Sequence, residues 1–467
     1  MVEARAGEKS PKRALHYPRG GRRRDRRPLT LSSRIIIDRM TTLGLDSPDD
    51  HLSRPDIGRE PPSGPWTFQF LNLVLGGLGL FGRPLTTRDL LNAAQRRTGL
   101  ADFGDWDIEE PLGVLIKSYE TESSLSPFGR MAARWDLLRF LSNLLQLREE
   151  ERRNPAILDE KIERPIFITG LPRSGTSFLH ELLCEDPGNL AVRCWEAIYP
   201  LPLNSSGPAE RDIDRRRRKV ARQLASFERI APEIRSLHPM VADTPQECTE
   251  ITGHVFLGMR FDTTHHIPSY RRWLDGRSLA PAYRFHKRFL QHLQHRRGRG
   301  QWILKCPDHV FALDAVREVY PDARFVFMHR DPLSVLPSVA RLTETLRRPF
   351  TVRLDRLQIG AEVSERWARG AKILVASAPS FADGPSPAFH LPFGRFVRDP
   401  AAAVEAVYAH FDIGLGAETA ARVRALVAAR PNGGNGRNHG RLEDYGLDAE
   451  RERPRFAEYM EFFGLEA

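Results

Sequence analysis

The sequence predicts an α/β protein in which a parallel sheet is flanked by helices and preceded by a helical region. Three observations lead there. Short apolar runs rich in β-branched and aromatic residues recur at residues 165–169, 302–305 and 324–328. Each is followed by a turn and then by apolar residues at helical spacing, over 176–185, 308–320 and 333–346. A glycine-rich turn, residues 170–177, joins the first run directly to its helix. Continuous apolar runs, rather than alternating ones, belong to strands covered on both faces, and helical crossovers are what parallel strands require.

The chain has 467 residues and a formal net charge of +10. Residues 1–40 hold 12 of its 70 Lys/Arg and 4 of its 60 Asp/Glu, a local balance of +8 that leaves +2 for the rest. A near-neutral body does not call for a nucleic-acid partner. Residues 1–60 read as a disordered basic tail, dense in Arg, Pro and Ser, and Met40 is an alternative start. Residues 1–27 contain no apolar core of a secretory signal, so the expected location is cytoplasmic.

Residues 61–160 form the second region. Its first part, 61–82, has no charged residue and approaches the ~20 residues that span a bilayer. Gln69, Asn72 and five glycines weaken that reading, which leaves a packed segment or a peripheral membrane contact. From Thr86 the pattern turns helical and continues through residue 147. Residues 161–467 form the main domain, with a mostly helical insertion at 195–295. Within the insertion, Arg215, Arg216, Arg217, Arg218, Lys219 and Arg222 read as one exposed helix face. The four cysteines show no metal spacing, and the adjacent His265 and His266 have no third ligand nearby, so no metal is expected.

The turn itself carries chemistry. Gly170 and Gly175 stand at G-x-x-x-x-G spacing between a strand and a helix, with Pro172, Arg173 and Ser174 between them and Thr176 and Ser177 beyond. Backbone N–H groups at such a helix start cradle phosphate oxygens, and the hydroxyls add donors. The Lys that follows the second glycine in a nucleotide triphosphatase is here Thr176, and the cation sits upstream at Arg173. That displacement counts against a kinase or triphosphatase, the alternative reading. A non-catalytic nucleotide-binding relative is the other alternative.

Residues 165–180, together with 302–309 and 325–332, resemble the sulfotransferase family. The likeness is to the bacterial-type branch, with Arg where the cytosolic steroid and phenol enzymes have Lys. The resemblance reaches from about residue 85 to Tyr445-Gly-Leu447. It implies a P-loop-like fold and 3′-phosphoadenosine 5′-phosphosulfate as co-substrate, without a metal. The acceptor would be a hydroxyl or amine of a small molecule, lipid or glycan. Oligomeric state stays open.

The resemblance also implies a 3′-phosphate site at Arg330 and Ser338. Their positions agree: Arg330 follows a strand at its carboxyl end, and Ser338 is about two helical turns further on. Phe178 is expected either against the adenine or in the core. Arg437 and His439, in the glycine-rich stretch 432–440, are expected to close over the 3′-phosphate unless that stretch is a linker. For the transfer itself, Arg173 and Lys305 are the expected cations. Glu247 is the preferred base, with His309 as its rival near the sulfuryl group.

Overall fold

A computed structural model describes residues 83–203, 209–382, 386–430 and 440–465. The N-terminal helical region holds α1 (Thr87–Thr98), α2 (Glu109–Thr121) and α3 (Pro127–Arg153). Thr86 caps α1 by accepting from the Asp89 N–H at 3.1 Å, and Gly99 ends it in the left-handed region at φ 74°. Ser126 caps α3, and Pro127 occupies a first-turn position whose missing N–H costs nothing. β1 (Ile166–Gly170) then passes through the glycine turn into α4 (Thr176–Leu183), followed by a two-residue β2 (Asn189–Leu190). The insertion contributes α5 (Ala209–Ile230) and α6 (Ala280–Arg297). Next come β3 (Gln301–Lys305), β4 (Arg324–His329), α7 (Pro332–Arg347), α8 (Arg356–Ala382), β5 (Ala388–Pro392) and α9 (Pro400–His410).

The sheet runs β2-β3-β1-β4-β5, with every pair parallel. β1 lies at its centre, all five residues buried, with Ile166 opposite Ile303 on one side and Arg324 on the other. Successive side chains point to opposite faces, and the cores divide accordingly. Phe167, Leu304, Phe325 and Phe327 join a cluster that includes Leu112, Phe140 and Leu144 of the N-terminal helices. Ile166, Ile168, Ile303 and Val326 face the other way, onto Leu179 of α4 and Val404 and Val407 of α9. On the Phe167 face, His286 of α6 packs on Phe167 and Phe381 of α8 packs on Phe325 and Phe327, and the N-terminal helices join the same cluster.

Some expectations need correction. β2 is too short to leave a pattern, and β5 is only half-buried and ends in proline, so neither was legible. Residues 308–320 are not one helix: Pro307–Ala312 forms a 3-10 turn before the helix Leu313–Val319. The arginine run of α5 is not uniformly exposed. Arg216 is buried, paired to Asp212 at 2.8 Å and lying 4.6 Å from the centre of the Trp195 ring. Among the described residues no helix is long and apolar enough to cross a membrane. Residues 1–60, the 61–82 segment, Arg437 and His439 lie outside the described residues.

Candidate active site

A cavity of about 1100 Å³ opens beyond the carboxyl ends of β1 and β3. The glycine turn forms one of its walls, and its backbone explains the two glycines. Gly170 has φ 126°, and a Cβ there would run into the Met328 carbonyl of β4. Gly175, at φ 85°, is the residue before α4, and a Cβ would meet the Phe396 ring at 2.9 Å. Arg173 adopts φ 62° without being glycine, a strain on the order of 1 kcal/mol that sharpens the turn.

Pro172, Arg173, Gly175, Thr176 and Ser177 all line the cavity. Ser174 is fully buried, and its Oγ has no hydrogen-bond partner among the described residues. A buried hydroxyl without a partner costs about 1–3 kcal/mol. Ser174 does not itself line the cavity; the place where an anion fits is the uncapped start of α4, where Gly175, Thr176 and Ser177 do.

Two groups of side chains surround the turn. On one side, Lys305 is buried at the end of β3. Its Nζ lies 2.6 Å from Glu247 Oε1 and 3.0 Å from Ser177 Oγ. Burial raises the Glu247 carboxyl, but Lys305 and His238 outweigh it and hold the group below the usual carboxylate range. On the other side, Arg173 Nε donates to Ser338 Oγ at 3.0 Å, and its guanidinium also donates to the Leu237 carbonyl at 2.7 Å. Arg330 donates to the backbone carbonyl of Arg173 and stacks 4.1 Å from the centre of the Phe393 ring. Arg173, Arg330 and Ser338 are thus one cluster. Burial and Arg330 together lower the pKa of Arg173, against the pull of Glu247.

His309 does not join either group. It is buried beneath the sheet edge, shares a hydrogen bond with the Tyr283 hydroxyl, and packs 5.0 Å from the Phe167 ring centre. It lines a separate small cavity of about 20 Å³ and not the large one. Burial, His286 and Lys305 keep it far below an ordinary histidine. The expectation that it sits near the reacting group is corrected: the 3-10 turn after β3 points it into the core.

The structure instead brings in His238, which the sequence did not single out. It lines the large cavity half-buried and is near enough to Glu247, Lys305 and Arg173 for each to shift its pKa. Burial is the main cause that brings it down to about 4, with Glu247 opposing. Its neighbour's carbonyl is the one Arg173 holds, so the histidine is anchored beside Arg173. A lone Leu-His-Pro inside a long insertion carries no spacing signal. Phe178 is both a core residue and a cavity wall: it packs 6.0 Å from Phe396, and both rings line the cavity.

A family model described as the sulfotransferase family matches residues 165–416, more than half of the chain. The chain belongs to the sulfotransferase family. The match takes in the glycine turn, Glu247, Lys305, Arg330 and Ser338. Curated relatives include the omega-hydroxy-beta-dihydromenaquinone-9 sulfotransferase Stf3 of Mycobacterium bovis and of Mycobacterium tuberculosis. Each is 32% identical over 193 residues, which is 39% of this chain and 46% of the relative. The match therefore spans about half the length of those relatives.

Solved sulfotransferase structures agree over more of the chain. The sulfotransferase STF1 of Mycobacterium tuberculosis superposes with a TM-score of 0.70 at 29% identity, over 80% of this chain and 99% of that one. STF9 of Mycobacterium avium gives 0.73 at 28% identity, over 82% and 97%. The parallel sheet flanked by helices is the sulfotransferase fold in this chain too.

Proposed function

We propose that the chain transfers a sulfuryl group from 3′-phosphoadenosine 5′-phosphosulfate to a hydroxyl of a small-molecule or lipid acceptor. The observation that carries this reading is the pairing of two cation groups around one glycine turn: Lys305 with Glu247 and Ser177, and Arg173 with Arg330 and Ser338. The uncapped start of α4, with Gly175, Thr176 and Ser177 on the cavity wall, suits an anion in the turn.

The donor residues divide by position. Gly170, Pro172, Ser174, Gly175, Thr176 and Ser177 would hold the 5′-phosphosulfate through backbone and hydroxyl donors. Arg330 and Ser338 would hold the 3′-phosphate, where a guanidinium fork suits a dianion. Phe178 would face the adenine, and Arg437 and His439 would approach the 3′-phosphate. When bound, the co-substrate supplies the sulfuryl group and a phosphate leaving group.

Lys305 would place its positive charge where negative charge grows as the S–O bond to the leaving phosphate breaks. Arg173, reaching the turn from its Ser338 side, would add to it. Glu247 is tied to Lys305 at 2.6 Å, which leaves it a poor proton acceptor. His238, neutral and not in an ion pair, would take the acceptor proton as the new O–S bond forms. Negative charge brought to Arg173 offsets a cation that now lowers His238, so its proton affinity would rise as the donor site fills.

Transfer of labelled sulfate from the co-substrate to an acceptor extract tests the reading, with a chelator added in a parallel reaction. Undiminished transfer in chelator supports it. ATP-dependent phosphoryl transfer that collapses with chelator would replace it with the kinase alternative.

A further inference from the structure

Besides His238 and Glu247 the cavity is lined by α7 and α8, whose lining residues fall in two rows. On α7, Val339, Leu342 and Leu346 line the cavity, and Thr343 and Arg347 stand one row over. On α8, Val363 and Trp367 form the apolar row, with Glu362 and Arg366 beside them. Residues three and four apart share a helix face, so each helix offers an apolar stripe and a polar stripe to the same space.

The polar stripes meet in a chain of alternating charge. Asp308 pairs with Arg366 at 2.6 Å, and Arg366 with Asp262 at 3.3 Å. Asp262 then faces Arg347 at 3.7 Å, and Arg347 pairs with Glu362 at 2.7 Å. Arg260 and Arg271 line the cavity as well, and so does Glu250, which Arg260 reaches at 2.9 Å. Four arginines against four carboxylates leave this wall with no net formal charge. Arg347 is 5% exposed, and its buried Nε has no hydrogen-bond partner among the described residues.

Such a wall is a costly way to build an apolar pocket. Desolvated ion pairs are commonly no better for stability than the hydrophobic residues that could replace them. An alkyl chain laid against them would strip their water and return no hydrogen bond. A charged ligand would meet its own sign at every second group. A group that donates and accepts at short intervals without carrying charge satisfies both signs at once.

We infer that the acceptor is an uncharged, hydroxyl-dense group with one apolar face, a glycosyl headgroup, its hydroxyls on the Asp308–Arg366–Asp262–Arg347–Glu362 chain and its apolar face on Trp367 and Val363. This rests on the sulfotransfer reading. Asp308 and Arg366 position the ring, and His238 sits at the end of the cavity where one hydroxyl is presented for transfer.

The test uses the full chain with 3′-phosphoadenosine 5′-phosphosulfate and three acceptors that share one alkyl tail: octyl β-glucoside, 1-octanol and octyl β-glucuronide. Sites built to bond a substrate hydroxyl discriminate strongly against its absence, so kcat/KM for the glucoside is expected to exceed that for octanol by at least about 100-fold. The anionic glucuronide is expected to fall well below the glucoside.

In Arg366→Gln the glucoside-to-octanol ratio is expected to drop at least about 10-fold. Calorimetric titration with adenosine 3′,5′-bisphosphate reports whether each protein is folded and holds the donor product. Bisphosphate binding with octanol or glucuronide preferred, or with no transfer to any of the three, overturns the acceptor inference alone. Absent bisphosphate binding by the wild type overturns the donor reading, and this inference with it.

Discussion

Lys305 and Glu247 form an ion pair 2.6 Å long whose ammonium also reaches the Ser177 hydroxyl at 3.0 Å, which ties the end of β3 to the first turn of α4. Replacing Lys305 with Met removes the cation beside the turn and leaves Glu247 in its half-buried place without its ion-pair partner. Losing one preorganised charge of this kind costs about 100–1000-fold in kcat. We expect Lys305→Met to lose at least about 100-fold in transfer while adenosine 3′,5′-bisphosphate still binds, because its 3′-phosphate contacts are intact. Single-turnover transfer and calorimetry on the same preparation check both halves.

Arg173, Arg330 and Ser338 behave as a unit because Arg173 donates to Ser338 and Arg330 donates to the Arg173 backbone. Hydrogen bonds to charged groups contribute about 1.5–3 kcal/mol, so Arg330→Ala should weaken bisphosphate binding by about 10–100-fold. Arg173→Ala should reduce both binding and transfer, since its side chain reaches from the glycine turn to Ser338. A change in transfer alone would place Arg173 wholly on the sulfuryl side.

Gly170 has no room for a side chain. Its φ of 126° and the Met328 carbonyl behind it make Gly170→Ala strained twice over, in conformation and in contact. We expect a loss of at least about 2 kcal/mol in denaturant titration. Gly394, also in the main domain, meets nothing within 4 Å of a built Cβ, so Gly394→Ala should cost little.

The acid limb of the pH profile follows from the two groups beside Lys305. Burial brings His238 down to about 4 from 6.5, and Glu247 is held below its usual value. Both are unprotonated at neutral pH, so kcat/KM should stay flat as pH falls through 6.5 and decline only below about 5. The stability effect of His238 has a defined sign. Between 6.5 and about 4 the unfolded chain binds its proton and the folded one does not, so this contribution is lost as pH falls through that window. Substituting Gln for His238 should abolish the acid limb of transfer or slow transfer at every pH. An unchanged profile and rate would remove it as the proton acceptor.

The central strands were legible because burial on both faces writes itself as a continuous apolar run, as in β1, β3 and β4. The glycine turn was legible because a left-handed backbone and a close approach leave glycine as the only fit. Arg330 and Ser338 came from the family resemblance, with which their places just past the end of β4 and within α7 agree. His309 departs from the expected sheet-edge position because a 3-10 turn follows β3 and carries it inward. His238 was silent because its place depends on the insertion folding back, held by the Arg173 bond to Leu237. Phe393 and Phe396 were missed with β5, the edge strand that delivers them.

The most direct test of the donor site is calorimetric titration of the full chain with adenosine 3′,5′-bisphosphate and with adenosine 5′-monophosphate, repeated in Arg330→Ala. With a charge-assisted 3′-phosphate site, the wild type should prefer the bisphosphate by at least about 10-fold, and Arg330→Ala should lose most of that preference. Equal affinity for the two nucleotides in the wild type, or a preference untouched by Arg330→Ala, would contradict it.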